Sequence, residues 1–307
     1  MIRVTQFSDT HFSTSGVRSH GGFGYDTDDV WETVFAHAFG GGPALPDLVV
    51  ITGDIADHGL ADEYAKAAQH FARLPVAANV CPGNHDFHTP FESGLPRPRL
   101  TMSRTLRVGN WLFLFADSNF AGREMGDDGR LHDKHDRIES NGQFGPSELA
   151  WLSETMGATD ADYAFIWVHH PPKAAGTYNV PAYDAEVVEL CGQHPKLRGF
   201  GAGHTHTNTV VELAERPVFT CPAFTINLDL TALTLLPPGY RTYQFGDDGT
   251  VTSECHLLDD DRWPRRRLPK PAVRMLTGEI SWDEMLEQMK ALPTGLPSAS
   301  LARSRSL

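Results

Sequence analysis

Five short apolar runs along the chain each end in glycine or polar residues. They occupy residues 2–11, 46–57, 77–86, 163–172 and 197–206. Because β-branched and aromatic residues cluster in each run and a breaker follows, each run predicts a buried β-strand. Between the runs, helices are predicted over residues 28–39, 60–74 and 145–156. Strands that alternate with helices indicate a layered α/β sheet.

Turn dipeptides predict two hairpins. Gly109-Asn110 separates the apolar runs 104–108 and 111–117, and Asp248-Gly249 divides the alternating segment 241–258. The charged segment 122–142 is interpreted as a surface loop, with a flap beside a site as the alternative.

The composition changes after residue 258, where Arg and Pro become frequent. We therefore predict a main domain over residues 1–258 and a C-terminal extension over 259–307. Within the extension, a helix is predicted over 281–292 with Ser281 and Glu284 as a capping box, followed by a tail of disordered composition over 293–307. The basic cluster 265–267 is interpreted as a charged linker, with an acidic partner as the alternative.

Size, charge and cysteine content restrict the function. A chain of 307 residues can form one large α/β domain, and its net charge of −13 disfavours nucleic-acid binding, which needs a basic surface. The four cysteines include no CxxC pair, which argues against a thiolate zinc site and favours reduced thiols. Without a signal-peptide pattern or an apolar run of membrane-spanning length, we expect a soluble, cytoplasmic protein.

Side chains that bind metals follow each of the five predicted strands. They are Asp9, His11, Asp54, Asn84, His169, His204 and His206. Loops at the carboxyl ends of strands in an α/β sheet meet at one edge. His204 and His206 are two positions apart, like Asp9 and His11, and in extended backbone such side chains point to the same side.

A donor set of seven nitrogen and oxygen ligands without sulfur is too large for one zinc ion. It suits two ions of Mn, Fe, Zn or Co that share a bridging carboxylate. Any single motif also suits a loop cap or a turn, but five in succession favour a metal centre.

The ordered motifs DTH, GDIAD, GNHD, VHHPP and GHTH resemble those of the calcineurin-like metallophosphoesterases. The resemblance covers about residues 1–255 and implies an α/β fold, a two-sheet β-sandwich flanked by helices, with a dinuclear metal centre at the strand ends. PDLVVITGDIADHGLADEY, FADSN and GQFGPSELAWL resemble the bacterial class III cyclic-nucleotide phosphodiesterases, a group that also includes glycerophosphodiesterases. The charged insertion and the C-terminal extension depart from that group's pattern.

The resemblance also implies roles for single residues. One metal would be held by Asp9, His11 and His206, the other by Asn84, His169 and His204, and both by the bridging Asp54. His169 is preferred to His170 because it directly leaves the strand. His85 would be a catalytic histidine that binds no metal, with Asp57 as its orienting carboxylate. Asp86 is interpreted as a loop brace.

A metal-dependent phosphoesterase is the predicted function, with a phosphodiesterase acting on a cyclic nucleotide or another small phosphodiester favoured. A metal-bridging hydroxide would attack the phosphorus, and His85 would supply a proton or charge to the leaving alkoxide. A phosphomonoesterase acting on a nucleotide or sugar phosphate is the alternative. A non-catalytic scaffold is a weaker one, because it needs no such residues. The partner would be a small-molecule substrate and not a nucleic-acid polymer, and a homo-oligomer is compatible with the sequence.

Overall fold

The computed structural model describes residues 1–14, 24–41, 44–95, 98–125, 131–133, 142–175 and 184–290. Up to residue 158 its elements are β1 (Ile2–Phe7), α1 (Thr27–Phe39), β2 (Leu48–Thr52), α2 (Ala61–Phe71), β3 (Ala78–Cys81), α3 (His88–Gly94), β4 (Leu100–Thr101), β5 (Thr105–Val108), β6 (Trp111–Phe115), β7 (Arg123–Met125), β8 (Leu131–Asp133) and α4 (Pro146–Ala158). There follow β9 (Tyr163–Trp167), α5 (Asp184–Gln193), β10 (Leu197–Ala202), β11 (Val210–Leu213), β12 (Arg216–Thr220), β13 (Asn227–Asp229), β14 (Thr234–Leu236), β15 (Gly239–Phe245), β16 (Val251–Leu257), β17 (Arg266–Arg267), α6 (Lys270–Leu276) and α7 (Trp282–Lys290).

Two six-stranded sheets form the framework. The strand order is β16-β15-β1-β2-β3-β4 in the first sheet and β11-β12-β10-β9-β6-β5 in the second. Strands β1 to β4 are parallel, and so are β6, β9, β10 and β12. Parallel neighbours have their carboxyl ends at the same edge. The loops after β1, β2 and β3 therefore lie together in one sheet, and those after β6, β9 and β10 in the other.

An aromatic layer joins the two sheets. Phe245 of the first sheet contacts four rings of the second edge-on, with centroid distances of 4.9 Å to Trp111, 4.9 Å to Phe113, 5.0 Å to Phe165 and 6.2 Å to Trp167. Edge-to-face pairs of this kind are favourable beyond the area that they bury. The sheets are thus packed face to face through a dry core.

Helices cover the outer faces. In the first sheet, Trp31 of α1 packs edge-on against Phe7 of β1 with ring centroids 5.7 Å apart. On the second sheet, Leu152 of α4 and Val187 of α5 share a buried cluster with Ile166 of β9. The predicted α/β fold, a two-sheet sandwich flanked by helices, is confirmed.

The sequence favours the start of two of the predicted helices in different ways. Helix α1 begins after Asp26, whose side chain accepts hydrogen bonds from the backbone N–H groups of Asp28 and Asp29. Helix α4 has Pro146 in its first turn, where a missing N–H costs nothing. The predicted segments 60–74 and 145–156 correspond to α2 and α4 with small shifts at the ends.

Both predicted hairpins are present, as β5–β6 and β15–β16. The first turns at Gly109, whose positive φ of 56° is accessible to glycine without strain. Segment 122–142 contains the hairpin β7–β8, and Oδ2 of Asp133 accepts a hydrogen bond from the backbone N–H of His88 at 2.6 Å. These described residues lie beside α3. Residues 126–130 and 134–141 lie outside the described part, so the choice between a surface loop and a flap stays a prediction.

The C-terminal residues extend the main fold. Strand β17 pairs with β14 in a three-stranded sheet, β13-β14-β17, and the backbone N–H of Leu228 donates to the carbonyl of His206 at 2.8 Å. The predicted capping box is confirmed, because Ser281 N donates to Glu284 Oε2 at 2.8 Å and Glu284 N donates to Ser281 Oγ at 3.2 Å. The predicted tail, 293–307, lies outside the described residues. Within the described ranges, no helix has the length and apolar character that crossing a membrane requires.

Candidate active site

The predicted metal-binding residues converge where the strand-end loops of the two sheets meet. Nε2 of His206 lies 3.2 Å from Oδ1 of Asp9. Oδ2 of Asp54 lies 3.5 Å from Nε2 of His11 and 3.2 Å from Nε2 of His169. Asp54 is therefore within reach of a histidine from each sheet.

Asn84 completes a second group of ligand atoms. Its Oδ1 lies 3.0 Å from Nε2 of His169 and 3.1 Å from Nδ1 of His204. Asn84 follows a strand of the first sheet, whereas both histidines follow strands of the second. The group thus exists only when the two sheets are correctly aligned.

Left-handed backbone, not extended backbone, directs five of these side chains. The positive φ values are 53° at Asp9, 41° at His11, 50° at Asp54, 65° at His204 and 51° at His206. Non-glycine residues adopt such values at a cost of about 1–3 kcal/mol each and do so mainly at functional sites. The expectation that alternation in extended backbone aligns these pairs is therefore wrong.

Backbone hydrogen bonds between loops hold this strained conformation. The N–H of Asp9 donates to the carbonyl of Gly53 at 3.1 Å, and the N–H of His11 donates to the carbonyl of Asp54 at 2.9 Å. The backbone N–H of His204 donates to the Asp9 carboxylate at 3.1 Å. Each ligand-bearing loop thus fixes the conformation of the next.

A glycine allows the third loop to approach Asp54. A Cβ at Gly83 would lie 2.2 Å from Oδ1 of Asp54 and 2.3 Å from its backbone nitrogen, so no other residue fits without displacement. The same Oδ1 accepts a hydrogen bond from the backbone N–H of His85 at 2.9 Å. The GNHD motif is therefore packed directly on the Asp54 carboxylate.

Asp86 braces these loops. Its buried carboxylate accepts hydrogen bonds from the backbone N–H groups of Gly83 at 2.9 Å and Ile55 at 3.2 Å, and from the hydroxyl of Tyr64 at 2.9 Å. One side chain thereby joins the loop after β2 to the loop after β3. These contacts agree with its interpretation as a loop brace.

The carboxylate and the backbone carbonyl of Asp57 contact different histidines. Its buried carboxylate lies 3.2 Å from Nδ1 of His11, and its backbone carbonyl lies 2.7 Å from Nδ1 of His85. The expected partner of the Asp57 carboxylate is His85, whereas the contact with Nδ1 of His85 is made by the Asp57 main chain. The reason is that the segment after Asp54 pairs with the loop that carries His11: Ala56 forms a β-bridge with Phe12, and the N–H of Asp57 donates to the carbonyl of Phe12 at 3.1 Å.

The two adjacent histidines of the VHHPP motif have different surroundings. Nδ1 of His169 lies 2.8 Å from the carbonyl of Thr52, which leaves its Nε2 facing Asp54 and Asn84. Nδ1 of His170 lies 2.8 Å from Oγ of Ser118. His170 nevertheless offers a ligand atom within 4.8 Å of those of His169 and His204, so the preference for His169 stays a prediction.

Sequence reasoning missed the contribution of strand β6. Its carboxyl end lies beside that of β9, and two polar residues follow it, Ser118 and Asn119, both buried. Ser118 contacts His170, and the side-chain amide of Asn119 donates to the carbonyl of Gly83. The signal was present in FADSN, where polar residues follow an apolar run, as at the five recognised strand ends.

Electrostatics favour the ligand forms of Asp54 and His204. Burial alone would raise the pKa of Asp54, but His169, His85 and His11 hold it well below the ordinary value. Burial, together with His169, lowers the pKa of His204 to about 3. An ionised carboxylate and a neutral imidazole are the forms that bind a metal. Burial would lower the pKa of His169, but Asp54 raises it to about 9, so His169 must lose a proton to bind a metal.

The described residues fit metal ions. Potential ligand atoms lie within 4.8 Å of one another in overlapping groups, which include Asp9–His11–His206 and Asp9–Asp54–His169. Nε2 of His204 is buried without a hydrogen-bond partner in the described part of the chain, as expected for an atom free to bind something else. Oxygen and imidazole donors suit borderline divalent metals.

The two-sheet sandwich gathers His, Asp and Asn side chains that suit metal binding at its strand ends. The family model for calcineurin-like phosphoesterases matches residues 2–208. The chain belongs to this family, whose members use a dinuclear metal centre. The predicted class, a metal-dependent phosphoesterase, is confirmed.

Similar proteins include several curated phosphodiesterases. The 3′,5′-cyclic adenosine monophosphate phosphodiesterase CpdA of Escherichia coli strain K12 is 25% identical over 281 residues, covering 85% of this chain and 92% of the relative. A probable glycerophosphodiester phosphodiesterase, GpdQ of Arcobacter nitrofigilis, is 24% identical over 278 residues, covering 83% and 93%. A dimetal phosphatase from Danio rerio shares the fold, with a TM-score of 0.58, 16% identity and coverage of 87% and 96%.

Proposed function

We propose that the protein is a dinuclear-metal phosphodiesterase acting on a cyclic nucleotide or another small phosphodiester. The observation that carries the proposal is the position of Asp54, whose Oδ2 faces histidines from both sheets at 3.2–3.5 Å. Similarity to proteins named for cyclic adenosine monophosphate and glycerophosphodiester hydrolysis supports a diester substrate.

The ligands of each proposed metal ion are assigned from the side chains that lie close together in the structure. One ion would be held by Asp9, His11 and His206, the other by Asn84, His169 and His204, with Asp54 shared; Mn, Fe, Zn and Co suit these donors. When bound, the ions supply an activated water and neutralise the phosphoryl oxygens.

His85 is proposed to deliver a proton to the leaving oxygen. A carbonyl oxygen can only accept a hydrogen bond. The 2.7 Å contact between the Asp57 carbonyl and Nδ1 of His85 therefore requires a proton on Nδ1. Nε2 would then be the atom that protonates a departing alkoxide when the ring is charged. His85 is partly buried, and its backbone N–H is held by Asp54, so the imidazole starts from a fixed position.

The Asp57 carboxylate is proposed to orient the ligand His11. It lies 3.2 Å from Nδ1, on the side of the ring opposite the Nε2 that faces Asp54. A carboxylate in this position selects the tautomer with an unprotonated Nε2 and raises the basicity of that atom. A cytoplasmic location is consistent with the four free thiols.

The proposal is tested by comparing hydrolysis of 3′,5′-cyclic AMP, glycerophosphocholine and AMP by the purified protein, with its metal content measured in parallel. We expect two metals per chain and faster hydrolysis of a diester than of AMP. Asp54→Ala should weaken both metal sites, and Asp9→Ala should weaken one. Faster hydrolysis of AMP would favour the phosphomonoesterase instead, and equal metal loss in the two variants would contradict the shared carboxylate.

A further inference from the structure

We propose that Asn119 is a positioning residue that holds Asn84 in register with His169 and His204. The inference rests on the proposed dinuclear function, because it concerns the metal set to which Asn84 belongs. It comes from a contact between the two sheets that the five strand-end motifs do not include.

The contact joins loops from different sheets. Asn119 follows β6 of the second sheet, and its Nδ2 donates to the backbone carbonyl of Gly83, which follows β3 of the first sheet. Asn119 is buried, with 7% of its surface exposed. Its amide orientation is chemically determined, since the side-chain oxygen would repel the Gly83 carbonyl oxygen.

The Gly83 carbonyl belongs to the peptide unit that leads into Asn84. On its other side, the backbone N–H of Gly83 is held by Oδ2 of Asp86 at 2.9 Å. The orientation of this short segment determines where Oδ1 of Asn84 lies relative to His169, now at 3.0 Å. Asp86 ties the segment to the loop of its own sheet, whereas Asn119 ties it to the sheet that carries both histidines.

The backbone of Asn119 provides a firm anchor. Its N–H donates to Oδ1 of Asp117 at 2.9 Å, and a β-bridge pairs Asn119 with Gln143. The N–H of Phe120 donates to the carbonyl of Gln143 at 3.3 Å. The side-chain amide therefore holds Gly83 at a fixed position relative to the second sheet.

Folding stability does not explain an asparagine here. Its Oδ1 is buried and has no hydrogen-bond partner among the described residues, which opposes folding. The Gly83 carbonyl also accepts a hydrogen bond from the N–H of Asp86 at 3.2 Å, so it would keep a partner without Asn119. Because the side-chain amide of Asn119 is costly to bury and lies beside the site, we infer a positional role for it.

Asn119→Leu tests the role, with Mn²⁺ as the probe and stepwise binding followed by calorimetry and by the spin coupling of the metal pair in EPR. We expect one of the two Mn²⁺ ions to bind about 10- to 100-fold less tightly than in wild type, with loss of the coupled signal. The other Mn²⁺ should be unaffected and the thermal midpoint little changed.

Asn79→Leu is the matched control. Asn79 is also buried, lies in β3 and donates its side-chain amide to the carbonyl of Ser103 at 2.9 Å, away from the strand end that carries the site. This variant should lose thermal stability and keep both Mn²⁺ affinities. A purely structural role for Asn119 would give it the same profile as Asn79→Leu.

Asn119→Asp adds a pH-dependent readout. When the introduced carboxyl group is protonated, it can donate to the Gly83 carbonyl, whereas its ionised form repels that oxygen. The affinity of the Mn²⁺ that Asn119→Leu weakens, expressed relative to wild type at each pH, should therefore rise as the pH falls. A flat ratio, or equal weakening of both ions in Asn119→Leu, would overturn the role of Asn119. Wild-type protein that binds at most one Mn²⁺ would instead overturn the dinuclear function on which the role depends.

Discussion

The backbone carbonyl of Asp57 lies 2.7 Å from Nδ1 of His85, whereas its carboxylate lies 3.2 Å from Nδ1 of His11. Asp57→Asn should therefore leave His85 in place, because the main chain is retained, and weaken the metal held by His11 by about 10-fold or more. Metal titration and hydrolysis of esters with good and poor leaving groups check this. A changed leaving-group dependence with unchanged metal affinity would show that the carboxylate acts on His85 after all.

His85→Ala should keep both metals and lose most activity on poor leaving groups. Removal of a general acid costs roughly 10²–10⁴-fold in rate. The loss should be smaller for p-nitrophenolate, which leaves without a proton, than for a ribose alkoxide. Rates with a p-nitrophenyl diester and 3′,5′-cyclic AMP, together with metal analysis, check this. Loss of a metal, or equal slowing of both substrates, would contradict the role.

Gly83→Ala should disrupt the metal centre, because the new Cβ would lie 2.2 Å from Oδ1 of Asp54. We expect weaker binding of both metals, since Asp54 faces both sets. Gly157→Ala is the control: it lies in α4 and its added Cβ would meet nothing within 4 Å. That variant should bind metals normally and gain about 0.5–1 kcal/mol of stability. Metal titration and urea unfolding distinguish the two; normal metal binding by Gly83→Ala would argue against the close approach.

Asp86→Ala should lower the free energy of unfolding by about 3 kcal/mol or more, because several buried donors lose their acceptor. Tyr64→Phe removes only one of these hydrogen bonds, at 2.9 Å, and should cost about 1 kcal/mol. Urea unfolding of metal-free protein measures both. Equal, small losses would mean that Asp86 does not brace the loops.

Asp28 should contribute stability that depends on pH. It lies 2.5 Å from Nζ of Lys66 and 2.9 Å from Nε2 of His70, and joins α1 to α2. Burial would raise its pKa, but these partners lower it below the ordinary value. A lowered carboxyl pKa stabilises the fold above the unfolded-state pKa, and this contribution is lost as the pH falls through the folded-state pKa.

Asp28→Asn should accordingly be less stable than wild type near neutral pH, and the difference should shrink in the acidic range. The effect should be modest, since solvent screens this partly exposed site. Asp160→Asn, at a carboxylate with 98% of its side chain exposed, should show little difference at any pH. Thermal unfolding across the pH range checks both variants; a constant difference for Asp28→Asn would contradict the linkage.

Local patterns predicted much of the framework and the composition of the site. It was possible to predict the five strands that carry the site, two hairpins and helices α1, α2 and α4. The signals for these elements are hydrophobic periodicity, helix breakers and caps, which all act within a few residues. Helix α5 and the sheet β13-β14-β17 were not predicted. In that sheet two strands have only three residues and one has two, and strands this short contain too few residues for a periodic signal. Their formation depends on partners far along the chain, as in the pairing of Leu235 with Arg266.

By itself, the sequence determined which side chains gather at the strand ends, since motifs such as GNHD and GHTH follow apolar runs directly. Only the tertiary structure decided how those side chains are directed. The left-handed backbone at Asp54, the carboxylate of Asp57 turned towards His11 and the amide of Asn119 on Gly83 all arise from contacts between separate loops. The direction of a loop side chain follows from φ and ψ values, which here are held by hydrogen bonds between residues distant in sequence, and no local pattern contains them.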